Sequence, residues 1–463
     1  MGFTSRLATF ALETAFSDIP ANVVDRSKEM MLNAAGIGLA GSAEEEGRII
    51  TEYVQDLGGT PTCTVLGSTF RTSPELAALA NGTMVHVLDF DENVDRRGNH
   101  PSNVMYPTVM ALGQSLRRSG SDVVSAFAVG CEVSTKLGAA GDLDEQFPRS
   151  AGFGWHGMAV FGTFGATVAA GRLLRLDQDQ MENALGMACS QAAGLQVNHG
   201  TSSKSLQAGS TAMRGIMCAT LAQRGFTGAK HGIEAEEAGF FAAYRRGSDV
   251  DEDEFFGRLG NPYDVIEPGV RIKIYPSGSL THVSIEAMLR LIEEHKLNAD
   301  QVQSIRVSVP ARWDGSVYPV MRPLTGLEGK FSLGYCMAVC LVHGAPQIHH
   351  FTDEAVRDPR VLAVIDRVTV DTNEQPTERA SRPSTVAITL ADGREISYRA
   401  EFARGHKNNP VTDKEIHAKF AACSQSVLTP IEVARVIGEF RRLDELPDVE
   451  PLFSSLAAIA PVH

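Results

Sequence analysis

The segment HVLDFDENVDRRGNHPSN at residues 86–103 carries four carboxylates, two histidines and two arginines in eighteen positions. Carboxylates this close together raise one another's pKa, and proton-transfer chemistry uses groups that are tuned in this way. Asp89 and His100 are the candidates for such chemistry, and we expect both to face inward. The other charged side chains, Asp91 and Glu92 among them, are expected to be mostly solvated, or paired with one another or with the lid. An acidic loop in solvent without a catalytic role is the alternative interpretation.

A further histidine, His156, stands at the start of an apolar helical stretch, directly after the Gly-rich turn GFGW. A helix N-terminus favours anions and disfavours the imidazolium form of histidine. His156 can therefore stay neutral and act as a base or as a hydrogen-bond donor. The alternative is a histidine whose polar atoms are satisfied inside the core.

Two lysines are candidates for holding a carboxylate group. Lys204 lies in the Gly/Ser/Thr-rich stretch NHGTSSKS just before a predicted helix. Lys273 alternates with Arg271 on a predicted short strand, RIKIY, that leads into a Pro-Ser-Gly loop. The GTSSK spacing lacks the first glycine of a phosphate-binding loop, which excludes nucleotide binding of that type. A surface lysine and a basic edge strand are the respective alternatives.

Helices must position most of these residues. Residues 1–264 have apolar side chains at helical spacing, which predicts a helical domain. Small residues recur on the apolar faces of Gly157–Leu176 and Gly209–Arg224, so these helices are expected to approach one another closely. The stretch SPELAALANGTMVHVLDF predicts a helix that begins at Ser-Pro and ends near Phe90.

A change of pattern predicts a smaller α+β domain at residues 265–404. The stretches VQSIRVSVPA and STVAITLADGREISYRAEFA alternate apolar and polar residues as strands do, and Asp392-Gly393 predicts a hairpin turn. GKFSLGYCMAVCLVHG predicts a buried helix between them. Residues 405–463 are helical again and are expected to return to the first domain. The predicted fold class is therefore mainly α, with a large helical domain and a smaller α+β lid domain.

Composition excludes several classes of partner. A net charge of −14 argues against nucleic acid or an anionic membrane, but local cations could still bind an anionic substrate. The seven cysteines show no spacing typical of zinc or iron–sulfur ligands, so we expect no metal and no cofactor, and reduced thiols in the cytoplasm. The N-terminal stretch lacks a signal-peptide pattern, and Gly157–Gly171 is too short and too rich in Gly and Thr for a membrane span.

Taken in order, these motifs resemble those of the MmgE/PrpD family, which includes 2-methylcitrate dehydratase, cis-aconitate decarboxylase and iminodisuccinate epimerase. The family patterns are H-x-L-D-F-D-D-T followed by H-P-S, then G-W-H, a Lys-led helix of small residues, K-x-Y-P followed by His, and K-F-S-L-G-Y. The similar stretches of this chain are residues 86–91 with 100–102, 154–156, 204–209, 273–276 with His282, and 330–335. The matches run from about residue 30 to 410, which is nearly the whole chain.

The resemblance implies a helical domain that carries a lid domain, a homodimer, and a site between the two domains. It also implies roles for seven residues. The catalytic residues are Asp89, His100, His156 and Tyr318, and the substrate-binding residues are Lys204, Lys273 and Asn93. In this assignment Asp89 orients a histidine, because a carboxylate often fixes the ring of an active imidazole.

Two departures from the family pattern bear on the reaction. Asp91-Glu92-Asn93 stands where many members have Asp-Asp-Thr, and Gly278 stands where some members, including animal cis-aconitate decarboxylases, carry a histidine. That histidine is a general acid in those members. Its absence therefore bears on the particular decarboxylation more than on the substrate class.

The predicted activity is a cofactor-independent lyase reaction, dehydration or decarboxylation, on a small di- or tricarboxylate such as cis-aconitate or 2-methylcitrate. The lysines would hold substrate carboxylates and a histidine would move the carbon-bound proton. An isomerase reaction, epimerisation of a substituted succinate such as iminodisuccinate, is the alternative. A carboxylate-binding protein without catalytic activity is a further alternative. The residues do not determine the particular acid, the fate of the proton, or which histidine is the base.

Overall fold

The computed structural model describes residues 1–94, 100–140, 154–244, 250–310, 322–376 and 382–458. The chain forms two compact units. The helical unit comprises Met1–Val87, Asp91–Val270 and Thr412–His463, and the α+β unit comprises Leu88–Phe90 and Arg271–Val411. The chain thus changes unit at Val270/Arg271 and at Val411/Thr412, whereas the sequence analysis places the boundaries at 264/265 and 404/405.

The helical unit is built from helices with a few very short strands. The helices are α1 (Phe3–Glu13), α2 (Ala21–Gly41), α3 (Glu45–Leu57), α4 (Pro74–Val87), α5 (Ser102–Ser115), α6 (Gly120–Ala140), α7 (Gly157–Leu174), α8 (Gln178–Cys189), α9 (Ser203–Gln223), α10 (Phe240–Tyr244), α11 (Glu252–Arg258), α16 (Asp413–Ser424), α17 (Pro430–Arg441) and α18 (Glu450–Ser454). Strands β1 (Cys63–Thr64) and β2 (Arg71–Thr72) pair antiparallel, and β3 is Asn93–Val94. Residues 412–463 belong to this unit.

Helix α7 lies at the centre of the helical unit, where it packs against α5, α6, α8 and α9. It is apolar on all sides, and an all-round apolar helix is stable only when it is buried. Among the described residues it is the helix whose length and composition would also suit a membrane span, but 83% of it is buried within the protein. It is therefore a core helix.

Glycines allow α4 and α9 to approach closely. A Cβ on Gly82 would lie 2.7 Å from the Cα of Gly209, and a Cβ on Gly209 would lie 2.0 Å from the carbonyl oxygen of Leu79. Since no side chain fits at either position, the backbones of the two helices are in direct contact. This contact sets the distance between the end of α4 and the start of α9, where two site residues are located. The expected close packing by small residues is present.

The α+β unit packs helices against a mixed four-stranded sheet. Its helices are α12 (His282–His295), α13 (Gly326–Phe331), α14 (Leu333–His343) and α15 (Pro359–Ile365), and its strands are β5 (Val302–Pro310), β6 (Val368–Glu374), β7 (Ser384–Leu390) and β8 (Glu395–Ala400). The strand order is β6-β5-β7-β8, with β5 and β6 parallel and the other pairs antiparallel. Helices α12 and α14 pack on the sheet and cover its apolar side chains. The fold class, mainly α with a smaller α+β part, is as predicted.

The bounds of individual helices and strands agree only in part with the sequence predictions. Helix α4 begins at Ser73-Pro74 as predicted, but it ends at Val87 instead of near Phe90, because Asp89 has a left-handed φ of 50°. The hairpin at Asp392-Gly393 is confirmed, with φ of 85° at the glycine. The predicted strand that carries Arg271 and Lys273 is shorter than expected, since β4 (Val270–Arg271) includes Arg271 but ends before Lys273. Strand β6 was missed because its pairing with β5 is parallel and distant along the chain.

We predict that Gly209→Ala destabilises the protein, because its methyl group must push the α4 backbone away. Overpacking of this kind costs about 1–3 kcal/mol, and thermal denaturation measures it. Gly438→Ala in α17 is the matched control, since a Cβ there meets nothing within 4 Å. Removing chain entropy from the unfolded state should make that control more stable by about 0.4–1 kcal/mol. Equal melting temperatures for the two variants would contradict the close-contact explanation.

Candidate active site

A buried carboxylate connects two histidines in the helical unit. Asp91 places its Oδ1 atom 3.0 Å from Nδ1 of His86, and its Oδ2 atom 3.0 Å from Nδ1 of His100. Asn103 donates from Nδ2 to the same Oδ2 atom, at 3.0 Å. His86 lies in the last turn of α4, His100 precedes α5, and Asn103 lies in the first turn of α5. The carboxylate therefore connects the end of one helix to the start of the next.

Two contacts act on Nδ1 of His86. A carboxylate accepts hydrogen bonds, so Asp91 favours a proton on this nitrogen, whereas the amide nitrogen Nδ2 of Asn103, 2.9 Å away, can only donate and favours a lone pair there. The Nε2 atom of His86 is buried and has no hydrogen-bond partner among the described residues. Nδ1 of His100 lies close to Asp91 but outside hydrogen-bond geometry. Burial would raise the pKa of Asp91, but the adjacent His86 and His100 hold it well below its usual range.

The amide of Gln207 holds the Nδ1 atom of His156. Its Nδ1 atom lies 2.7 Å from Oε1 of Gln207 in α9, and Gln207 in turn donates from Nε2 to the carbonyl oxygen of Leu195 at 3.0 Å. Since the Leu195 carbonyl can only accept, it fixes the orientation of the Gln207 amide. Nδ1 of His156 is then the donor and Nε2 the basic atom. His156 directly precedes α7, as the sequence predicted.

The histidines form a row inside the helical unit. Ring centroids are 5.2 Å apart for His100 and His86, 6.3 Å for His86 and His156, and 4.7 Å for His156 and His199. The charge of Lys204, in the first turn of α9, acts on the two middle members. The row and Lys204 bring together side chains from the end of α4 and the beginnings of α5, α7 and α9.

The electrostatics of the row keep its middle members neutral. Burial lowers the pKa of His86 from its ordinary 6.5 to about 4, in part offset by Asp91 and helped by Lys204. Burial also lowers the pKa of His156 well below its usual range, with further contributions from His199, His86 and Lys204. A neutral imidazole with an open Nε2 can take a proton from carbon, and a nearby cation favours an anionic substrate.

The structure corrects two expectations about the acidic segment. Asp91 and Glu92 were expected to be mostly solvated or paired with charged neighbours or the lid, but both are fully buried, with partners in the helical unit. Asp91 is the carboxylate in contact with His86 and His100, a role that the sequence analysis gave to Asp89. The signal was present in the sequence, because Asp91 follows His86 by five residues across a helix end, but the direction of the chain after Val87 could not be read from it.

Asp89 lies in the α+β unit beside Lys273. The Lys273 ammonium donates to the Asp89 carbonyl oxygen at 2.7 Å and lies 3.2 Å from its Oδ2 atom. Both side chains are buried. Asp89 has a left-handed φ of 50°, which is costly for a residue with a Cβ, and the lysine stabilises that turn. Lys273 thus has a protein partner, and its contact with a substrate carboxylate stays a prediction.

His282 lies in the same unit as Lys273. Its Nε2 atom contacts the carbonyl oxygen of Ser277 at 3.2 Å, and burial together with Lys273 and Arg271 lowers its pKa well below the usual range. A ring that donates to a backbone carbonyl supports the Pro-Ser-Gly loop.

The remaining assignments have mixed outcomes. Lys204 is buried in α9 and is not a surface lysine, and Asn93 is half-buried in β3. Tyr318 lies outside the described residues. The convergence of His100, His156, Lys204 and Lys273 on one cleft stays a prediction.

Two residues of the site, His86 and Gln207, were not predicted. His86 was part of a motif but had no assigned role, and nothing local marks a glutamine in a helix as the partner of a distant histidine.

One group among the described residues has donor atoms close enough to hold a metal ion. The ring nitrogens of His86 and His100 and a carboxylate oxygen of Asp91 lie within 4.8 Å of one another. Nδ1 of His86 is within hydrogen-bond geometry of Asp91, whereas Nδ1 of His100 lies 3.0 Å from Asp91 outside that geometry. The expectation of a metal-free site stays a prediction.

The site of this mainly helical protein combines the buried, neutral His86 and His156 with the Asp91 carboxylate and the charge of Lys204. Sequence models of the MmgE/PrpD N-terminal domain and of the MmgE/PrpD C-terminal domain match residues 5–253 and 275–445. The chain therefore belongs to the MmgE/PrpD family.

Relatives along nearly the whole chain are similar at modest identity. The chain is 28% identical to cis-aconitate decarboxylase of Aspergillus terreus, over 98% of this chain and 96% of that protein. It is 28% identical to cis-aconitate decarboxylase of Homo sapiens, over 95% and 91% respectively. It is 22% identical to mitochondrial 2-methylcitrate dehydratase of Yarrowia lipolytica, over 80% and 74%. The family assignment and the prediction of an MmgE/PrpD-type enzyme are confirmed.

We predict that the protein loses stability as the pH falls below about 6.5 and that His86 is one cause. The unfolded chain protonates His86 near pH 6.5, whereas the folded protein does so only near 4. The unfolded state therefore binds more protons in this window, and stability falls with pH. The melting temperature should drop less between pH 7 and pH 4.5 in His86→Gln than in the unchanged protein. An equal drop would show that His86 is protonated in the folded state.

Proposed function

We propose that the protein is a lyase that acts on a small tricarboxylate, such as cis-aconitate or 2-methylcitrate, by proton transfer next to a carboxylate. The observation that carries this proposal is the neutral His156 imidazole, which Gln207 holds through Nδ1 so that its Nε2 atom is basic. His86 and His100 lie on either side of the Asp91 carboxylate, each with Nδ1 3.0 Å from one of its oxygens. In this proposal the base of the site is His100 or His156. The lyase names of the relatives support the reaction class.

The parts of the site have distinct tasks in this proposal. Lys204 attracts and binds one substrate carboxylate, since its charge acts in a buried region where screening by water is weak. His100 or His156 exchanges the proton on the adjacent carbon. Asp91 stabilises the imidazolium that forms on His100, because its carboxylate stays charged between the two rings. These steps use side chains of this chain alone, without a cofactor.

Two lyase outcomes are compatible with these tasks. In dehydration a histidine takes the proton from the carbon beside the carboxylate, and the substrate hydroxyl leaves as water after it gains a proton. In decarboxylation the bond to one carboxylate breaks, carbon dioxide leaves, and a histidinium returns a proton to carbon. The same residues serve both, because each reaction needs one bound carboxylate and one proton carrier.

An epimerase acting on a substituted succinate such as iminodisuccinate is the second candidate. Gly278 favours it, because the general acid that some decarboxylases of the family carry at this position is missing. A Cβ on Gly278 would lie 3.1 Å from the ring of Phe331, so the local packing is adapted to a residue without a side chain. Epimerisation removes a proton from one face of a carbon and returns a proton to the other face, and in this proposal His100 and His156 would serve as the base and the acid.

A homodimer in the cytoplasm completes the proposal. Ile49, Tyr53 and Leu57 lie four residues apart on α3 and are each about half exposed. Apolar side chains at this spacing form a stripe on one side of a helix, which a second copy of the chain could cover. The seven cysteines are free thiols, which suits a reducing compartment.

The test is to incubate the protein with cis-aconitate, 2-methylcitrate and iminodisuccinate in D₂O and to follow the products by NMR. A new double bond indicates dehydration, carbon dioxide with a deuterated product indicates decarboxylation, and an inverted deuterated centre indicates epimerisation. His100→Ala and His156→Ala should each lower kcat by about 10²–10⁴-fold. Binding of one of these acids without any proton exchange would support the alternative of a carboxylate-binding protein without catalysis. Loss of activity with EDTA, restored by iron or zinc, would overturn cofactor independence.

We predict that Lys204→Ala lowers kcat/KM strongly while the protein stays folded. Truncating one partner of a buried charge pair typically costs about 2–5 kcal/mol of binding, and steady-state kinetics measure that loss in the transition state. Lys230→Ala is the control, because Lys230 is exposed and pairs with Asp179 at the surface. Unchanged kinetics in the Lys204 variant would exclude a substrate-binding role.

A further inference from the structure

Glu92 connects two helices of the helical unit through its two carboxylate oxygens. Its Oε1 atom accepts the backbone N–H of Ser102 at 2.9 Å, and its Oε2 atom accepts Nδ2 of Asn33 at 3.1 Å. Ser102 is the first residue of α5, and Asn33 lies in α2. Glu92 and Asn33 are both buried. One side chain therefore anchors the start of α5 to α2.

The anchored turn is the one that carries the histidine site. His100 precedes Ser102 by two residues, and Asn103, which follows Ser102, donates to Asp91. The neighbouring carboxylates Asp91 and Glu92 thus hold consecutive residues at the start of α5. Since the first backbone N–H groups of a helix have no partner within the helix, an outside acceptor there fixes the direction of its first turn.

We propose that Glu92 is a positioning residue that sets the geometry between His100 and Asp91. It acts through Ser102 and does not itself touch the substrate. The assignment rests on the proposed function and takes His100 as the group that moves the proton. It also gives Glu92 a role that its place in a loop of charged residues did not indicate.

Two substitutions distinguish the effect of the Glu92 hydrogen bonds from the effect of its negative charge. Gln at this position keeps an oxygen for the Ser102 N–H. Its amide nitrogen can donate to Oδ1 of Asn33, which has no hydrogen-bond partner among the described residues, once the Asn33 amide rotates. Ala removes both bonds and leaves the Ser102 N–H buried without an acceptor. Glu92→Gln should therefore preserve the turn, whereas Glu92→Ala should release it.

The experiment compares kcat, KM and amide hydrogen exchange in Glu92→Ala and Glu92→Gln. We expect Glu92→Ala to lower kcat by about 10- to 100-fold with a smaller change in KM, since small misplacements of a catalytic group cost this much. Exchange at residues 100–104 should be faster in the same variant. Glu92→Gln should restore both kcat and slow exchange.

Glu234→Ala is the matched control for a general loss of stability. Glu234 also lies in the helical unit, where its Oε2 atom accepts both the backbone N–H of Thr4, at 3.2 Å, and the Thr4 hydroxyl. Its partners are remote from the histidines in the chain and include none of them. This variant should melt at a lower temperature with kcat unchanged.

Two results would overturn the positioning role. One is Glu92→Ala with unchanged kcat, and the other is Glu92→Gln that loses as much activity as Glu92→Ala. If the unchanged protein turns over none of the tested acids, the proposed function fails, and the positioning role is judged from the ring ¹⁵N chemical shifts of His100. These shifts should change in Glu92→Ala but not in Glu92→Gln, and shifts unchanged in both variants would refute it.

Discussion

The shared carboxylate of Asp91 is the interaction on which the site depends. One oxygen faces His86 and the other faces His100, and the three side chains come from the end of α4, the segment after it and the approach to α5. A buried carboxylate is costly unless it is fully paired. Two imidazoles and the Asn103 amide supply the pairing. The helix ends must therefore meet at this point for the unit to be stable.

The same burial keeps two of the imidazoles neutral. Rings removed from water resist protonation, so His86 and His156 stay neutral at a pH where an exposed histidine is partly charged. Gln207 accepts a hydrogen bond from Nδ1 of His156, which leaves Nε2 as the basic atom of that ring. The proposed proton transfer would therefore use a hydrogen bond that also joins α9 to the residue before α7.

Helix packing delivers these groups to one place. The direct contact of Gly82 with Gly209 brings α4 against α9, so that His86 at the end of one helix and Lys204 at the start of the other belong to one cluster. A larger residue at either glycine would separate them. The predicted small-residue faces are in this way a condition for the site as well as for the core. The distance between His86 and Lys204 therefore depends on how closely the backbones of α4 and α9 approach.

Much of this protein could be predicted from its sequence. The helical pattern, the strands β5, β7 and β8, the family, and the placement of His156 before an apolar helix follow from periodicity and from motifs that are contiguous in the chain. These features are local, or are preserved in order along the chain. Each can be read without knowing which distant segments come together.

Only the tertiary structure decided which carboxylates are buried and what they contact. Asp89, Asp91 and Glu92 are nearly identical in chemistry and adjacent in sequence, yet they contact Lys273, a pair of histidines, and the start of α5, respectively. The left-handed turn at Asp89 redirects the chain and separates them. Parallel strand β6 and the Gln207–His156 pair were missed for the same reason. Their partners are remote in sequence, and a pairing between remote segments is selected by the packing of the whole unit.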